Sequence, residues 1–257
     1  LDFSPQQVID KPCDADTFKP FWNDTPIKTY LFDAFSVLLP AGEQFVISVV
    51  EKSAAQLQQT SALAEDSRRF VAEERAHQRA HRLYNQQLEK QGFEVKQYEL
   101  GIEKDLQALQ SKWSLNAQLA LAAAFEHVTA VISGVALRKH GLLSANASSQ
   151  TRLWRWHCQE EVAHQHVTTD LLQALGIPYW QRILYFLAAS ALMAFDVLRH
   201  LHGFARLDIA RGRVSVKEVR RATASLLLRD GTNLMLMARG WAAYFLPLKA
   251  NKARDCQ

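Results

Sequence analysis

The chain has 257 residues, 48% of them hydrophobic and 22% charged, with a net charge of +4 and a pI near 9.0. That composition excludes a disordered chain, and the length predicts one domain over residues 1–257. Ten glycines and seven prolines are too few to turn an all-β chain, so long helices with few connections are expected.

Between residues 29 and 53, Leu31, Phe32, Phe35, Leu38, Leu39, Phe45, Val46 and Val49 recur at helical spacing, with Pro40 and Gly42 predicting a kink. A second helix is expected over 61–91, ending at Gly92. Residues 93–114 can hold a short helix and carry a crossover. A third helix is expected over 115–139. The fourth, over 149–175, stops at Gly176 and Pro178. Two more, over 179–203 and 215–245, are expected to cap a bundle formed by residues 28–176. The apolar run 183–195, thirteen residues long, falls short of the roughly 18 to 20 that span a bilayer and predicts a core or interfacial helix.

Cys13, Cys158 and Cys256 lie far apart without a C-x-x-C pair, which argues against a disulfide framework or a thiolate zinc site. The N-terminus lacks the basic start and apolar run of a secretory signal, so a cytoplasmic location is expected. Basic residues concentrate after residue 199, in RHLHGFARLDIARGR, KEVRRA and KANKARD. A solvated helix face explains them most simply, and attraction to an anionic membrane surface is the sharper alternative. No basic motif interleaved with aromatics supports nucleic acid, and no Gly-rich phosphate loop is present.

One pattern occurs twice. Glu73-Glu74-Arg75-Ala76-His77-Gln78 and Glu160-Glu161-Val162-Ala163-His164-Gln165 match at five of six positions and lie 87 residues apart. Three-residue spacing puts Glu74 and His77, and likewise Glu161 and His164, on one helix face, where each pair can hold a metal ion. A further carboxylate precedes each pair inside an apolar stretch: Glu43 in AGEQFV and Glu126 in AAAFEHV. Burying these carboxylates without a cation would be costly. The order Glu, Glu-x-x-His, long connection, Glu, Glu-x-x-His is the ligand set of ferritin-like carboxylate proteins. The expected fold is therefore an all-α, ferritin-like four-helix bundle with a long crossover and additional C-terminal helices. Glu43, Glu74, His77, Glu126, Glu161 and His164 are the expected ligands of two transition-metal ions, iron before manganese or zinc.

His81 and His157 fall on the ligand face and can be extra ligands, outer partners or a proton relay. Glu73 and Glu160 point about 100° away and are expected to hold outer contacts, with an i to i+4 ligand register as the alternative. His127 and His166 face elsewhere. Cys158 is expected to be a buried thiol.

These blocks, LLPAGEQF, FVAEERAHQRAHRLYN, ALAAAFEHVTAV and WRWHCQEEVAHQHVTTD, resemble the bacterial proteins catalogued as predicted metal-dependent hydrolases, a branch of the ferritin-like superfamily. The resemblance covers about residues 20 to 200. It departs from the family pattern at Gln165-His166, where a lysine-containing stretch would be expected. The resemblance implies a dimetal helical bundle, and the hydrolase label is itself a prediction.

Three functions are compatible with the ligand set. Two iron ions activating oxygen, with an electron donor, to oxidise a hydrophobic small molecule is the leading expectation. Hydrolysis of an ester or amide by a metal-bridging water is the alternative. Non-enzymatic metal storage or sensing is the third. Tyr179, Trp180, Phe186, Met193, Phe195, Trp241, Tyr244 and Phe245 are large groups outside the four ligand helices. They are expected to shape an apolar channel, or else to pack on the bundle or form a homodimer interface. The basic tail would suit peripheral membrane contact.

Overall fold

A computed structural model of the chain describes residues 18–58, 61–229 and 231–248. The described residues form eight helices and no strand: α1 (Pro26–Ala54), α2 (Ala62–Lys90), α3 (Val95–Lys112), α4 (Leu115–Ala136), α5 (Ser149–Ala174), α6 (Tyr179–Ala210), α7 (Val216–Arg229) and α8 (Gly231–Ala243). Cys13, Cys256 and the basic segment at 249–254 lie outside the described residues.

The four helices that carry the repeated motif and its preceding glutamates each start on a hydroxyl cap. Thr25, Ser61, Ser114 and Ser148 accept from the backbone N–H three residues on, at Lys28, Ala64, Ala117 and Thr151, satisfying a donor that the first turn would leave unpaired. At the far end of α5, Gly176 adopts φ +66° and the Ile177 N–H closes on the Leu172 carbonyl at 2.9 Å, a left-handed stop open to glycine.

Contacts fix the helix directions. Arg75 pairs with Glu51, and Asn85 reaches Ser36, so α1 and α2 run antiparallel. Thr129 reaches Glu161 and Ser133 meets Cys158, making α4 and α5 antiparallel, and His77 to Glu160 with His164 to Glu73 does the same for α2 and α5. With those directions, α2 ends at the opposite end of the bundle from where α4 starts. The 18-residue α3, about 27 Å long at 1.5 Å per residue, spans that distance as the crossover.

The core has two apolar clusters. One gathers Trp22, Tyr30, Phe32, Tyr84, Leu88 and Trp154; the other gathers Phe45, Ile47, Phe70, Leu119, Leu121, Leu171 and Phe186. In sequence the Glu and His positions fall between them: Glu43 between Leu39 and Phe45 on α1, and Glu74 between Phe70 and Tyr84 on α2. The polar layer is thus bounded by apolar packing along the bundle.

Three expectations change. Pro40 does not interrupt α1, which runs unbroken through it. In the C-terminal region α6 runs past its expected end at residue 203 to Ala210, and α7 and α8 lie within the expected 215–245 helix. Finally, α1, α4 and α6 are long and apolar enough to cross a membrane. The thirteen-residue limit set for α6 fails because its apolar window extends past the charged residues that bound that run. Helix α8 packs closely on α4: a Cβ on Gly240 would lie 2.8 Å from Val131 Cγ1.

Candidate metal centre

The two Glu-x-x-His motifs meet across the α2–α5 interface. Glu74, His77, Glu161 and His164 each offer a donor atom within 4.8 Å of all the others, and all four are buried. A second trio, Glu43, His77 and His157, satisfies the same distance. Glu126 stands apart from both groups, but its side chain is buried and borders the same pocket as Glu43, Glu74 and Glu161.

The histidines are held by reciprocal contacts between the repeats. His77 Nε2 lies 2.8 Å from Glu160 Oε2, and His164 Nε2 lies 2.8 Å from Glu73 Oε2. Each imidazole is therefore oriented by the carboxylate that precedes the Glu-x-x-His glutamate of the opposite repeat. This leaves Nδ1 turned inward. His77 Nδ1 is 3.5 Å from both Glu74 and Glu161, and His164 Nδ1 is 2.9 Å from Glu74 Oε1. Outer carboxylates of this kind fix ring orientation and raise basicity at the inner nitrogen. Glu73 and Glu160 contact the Nε2 atoms and belong to neither group of converging donors. Trp156 Nε1 donates to Glu160 Oε1 at 2.8 Å, and the Thr129 hydroxyl donates to Glu161 Oε2 at 2.7 Å. Sequence reading missed these two, although Thr129 lies three residues beyond Glu126 on its face.

His81 has a defined tautomer. Asn85 Nδ2 donates to the Ser36 carbonyl at 2.8 Å and to Glu99 Oε1 at 2.6 Å, so its Oδ1 accepts from the Ser36 hydroxyl at 2.7 Å. The Ser36 oxygen must then accept from His81 Nδ1, 2.9 Å away. His81 Nε2 is left with a lone pair, and it is buried without a partner. His157 packs against both His77 and His81, with ring centroids 4.5 and 4.8 Å apart.

The fit to metal rests on orphaned donors. Both oxygens of Glu43, Oε2 of Glu126 and Nδ1 of His77 are buried without hydrogen-bond partners, an arrangement that is costly unless a cation completes it. The electrostatics agree. Burial, reinforced by the Glu74 charge, pushes Glu43 well above the ordinary carboxylate range and Glu161 up to about 7. Burial and the Glu161 charge do the same to Glu126. At Glu74 burial acts upward too, but His77 and His164 overcome it and hold the carboxyl at about 2. Burial would lower His77, yet the Glu74 charge and the contact with Glu160 raise it well above its usual value. His81 and His157 are pushed well below theirs by burial. Without cations the cluster balances its carboxylates with protons, which divalent ions would displace.

The other sequence candidates lie elsewhere. His127 Nε2 is 3.0 Å from the Gly240 carbonyl, and its ring packs on Tyr244. His166 contacts the Ala163 carbonyl. Cys158 is a buried thiol pushed by burial up to about 12, which leaves it unreactive at neutral pH.

A pocket of about 310 Å³ opens onto the cluster. Glu43, Glu74, Glu126 and Glu161 are four of its lining residues, and Phe35, Leu38, Val46, Leu106, Phe125 and Met193 give it apolar walls. Of the C-terminal residues expected to shape a channel, Met193 lines it. Phe186, Trp241, Tyr244 and Phe245 pack on one another instead.

No curated protein and no solved structure matches the chain. The family described as predicted metal-dependent hydrolase matches residues 8–248, a span that includes every residue of the buried Glu and His cluster. The chain belongs to the predicted metal-dependent hydrolase family.

Proposed function

We propose that the protein is a dinuclear metal hydrolase acting on an ester or amide with a hydrophobic acyl group. Glu43, Glu74, His77, Glu126, Glu161 and His164 would hold the two ions in a ferritin-like arrangement. The observation that carries the reading is the apolar pocket with four carboxylates among its lining residues, combined with the family's metal dependence. When bound, divalent ions supply Lewis acidity and bring the pKa of water toward neutrality.

The chain's own groups do the rest. Glu73 and Glu160 aim the imidazoles, and Thr129 fixes one oxygen of Glu161. The walls formed by Phe35, Leu38, Val46, Leu106 and Phe125 exclude water and align an apolar chain with its polar end at the carboxylates. His81 Nε2, outside the pocket lining, is left as a buried hydrogen-bond acceptor, because Ser36 and Asn85 keep its hydrogen on Nδ1 and burial disfavours a second proton.

A second reading, oxidation of the same class of substrate by oxygen on a di-iron centre with an electron donor, is favoured by the donor set of four carboxylates and two imidazoles. One experiment separates them. Protein reconstituted with Zn²⁺, Mn²⁺ or Fe²⁺ is given p-nitrophenyl acyl esters of graded length, with and without air. Turnover by the zinc form without oxygen, rising with acyl length, supports hydrolysis. Oxygen consumption by the iron form alone supports oxidation. Metal uptake with neither activity leaves storage or sensing.

A further inference from the structure

Helix α6 carries three features that one ligand would explain. The first is an unpartnered apolar stripe. Trp180, Leu184, Leu187, Phe195 and Leu198 are exposed, with Trp180, Phe195 and Leu198 each at 64% or more, and helical phase puts them with Ala191 on one line. The stripe is about 27 Å long at 1.5 Å per residue. Only 22% of the most apolar window of α6 is buried, against 67% for α1 and 61% for α4. The second feature lies where the stripe ends. Arg199, His202, Arg206 and Arg211 line a cavity of about 470 Å³ in which Glu94 is the only acidic residue. Third, Leu192, Met193 and Asp196, on the flank of the same helix, line the pocket over the metal-site carboxylates. Leu192 is itself 46% exposed and so joins stripe to pocket.

We propose that α6 docks on an anionic lipid bilayer. The stripe enters the boundary between headgroups and acyl chains, the basic cavity receives a lipid phosphate, and an acyl chain passes beside Leu192 into the metal-site pocket. Only the last step rests on the hydrolase reading; docking stands without it. The helix lies along the surface rather than across it. The bundle it belongs to carries Glu65, Arg68, Arg69 and Arg75 exposed along α2, charges that a bilayer core would not admit. Charge complementarity favours a membrane over a second copy of the chain. The cations sit at the end of an apolar strip, as on interfacial helices, and a copy of this chain with net charge +4 would bring its own basic cavity to the contact.

The test is flotation of the full, metal-loaded chain with vesicles of phosphatidylcholine alone or with 30% phosphatidylserine. Binding to the anionic vesicles is expected at least tenfold above the neutral ones, and is expected to weaken as salt rises. Leu184→Glu with Leu198→Glu should abolish binding to both, with metal content and helicity unchanged because both residues are exposed. Arg199→Gln with Arg206→Gln should lower binding to the anionic vesicles about fivefold per cation, leaving the neutral baseline. Absence of flotation overturns the proposal, as does flotation that the stripe variant leaves intact. A dimer in vesicle-free solution that the stripe variant dissociates, without vesicle binding by the native chain, would assign the stripe to a second copy and equally overturn it. Vesicle binding without ester turnover would refute the hydrolase reading alone.

Discussion

Pro40 lacks the N–H that would close a helical hydrogen bond on the Ser36 carbonyl, yet α1 runs through it. Asn85, 2% exposed, supplies the missing donor from α2 at 2.8 Å. Asn85→Ala leaves that buried carbonyl unpaired, a cost of about 1 to 3 kcal/mol. The lost contacts with the Ser36 hydroxyl and the partly exposed Glu99 together add about 1 kcal/mol. A total near 3 kcal/mol is expected. Pro40→Ala restores a backbone donor to the same carbonyl, so in that background Asn85→Ala should cost about 1 to 2 kcal/mol less. Guanidinium unfolding of the four proteins, followed by circular dichroism at neutral pH, measures the coupling. A cost for Asn85→Ala equal in both backgrounds to within about 0.5 kcal/mol would refute the reasoning.

Burial pushes Asp33 up to about 7, against hydrogen bonds from Tyr84 and Trp22. The folded chain therefore keeps a proton that the unfolded chain releases above about 4, and stability falls as pH rises from about 4 to 7. Asp33→Asn should flatten this slope, on the order of 4 kcal/mol across the window, in denaturation midpoints measured at half-unit steps. Glu160→Gln or Glu73→Gln should weaken metal affinity about 10- to 100-fold with little change in helicity; unchanged affinity by calorimetry would show that the outer carboxylates do not orient the imidazoles. Metal binding should release protons and tighten as pH rises toward 7, because Glu43, Glu126 and Glu161 hold protons in the cation-free protein. Titrations in buffers of different ionisation enthalpy would show no difference if that reasoning fails. Gly240→Val should cost about 1 to 3 kcal/mol by driving α8 off Val131, read as a lower melting temperature.

The bundle was legible because its signals are local. The apolar spacing of residues 29–53, the stop at Gly176 and Pro178, and a repeated Glu-x-x-His each act over three or four residues. The crossover followed from the order of the glutamates. What escaped depends on pairings across helices. Nothing near Glu73 or Glu160 in sequence says that each will hold the other repeat's histidine. Asn85 compensating for Pro40, 45 positions away, needs the antiparallel register of α1 and α2. The α6 stripe was visible only as a thirteen-residue apolar run, because exposure is a property of what the remaining helices fail to cover.

The repeat also shows where the two halves part. The 87-residue offset that relates Glu73 to Glu160 and His77 to His164 places Thr168 at the counterpart of His81, and Phe70 at the counterpart of His157. Thr168 is buried with its hydroxyl unpartnered, and Phe70 packs edge-on to the His164 ring at 5.2 Å. One side of the cluster therefore meets two imidazoles that burial keeps neutral, and the other meets a phenyl ring and a hydroxyl. Two equivalent half-sites would suffice to hold a pair of cations. The added imidazoles give one half a hydrogen-bond acceptor, His81 Nε2, with its tautomer set by Ser36 and Asn85 and its proton affinity lowered by burial, and the other half no such group. The asymmetry sets His81 Nε2 apart as a buried lone pair of fixed tautomer, present beside one Glu-x-x-His motif and absent beside the other.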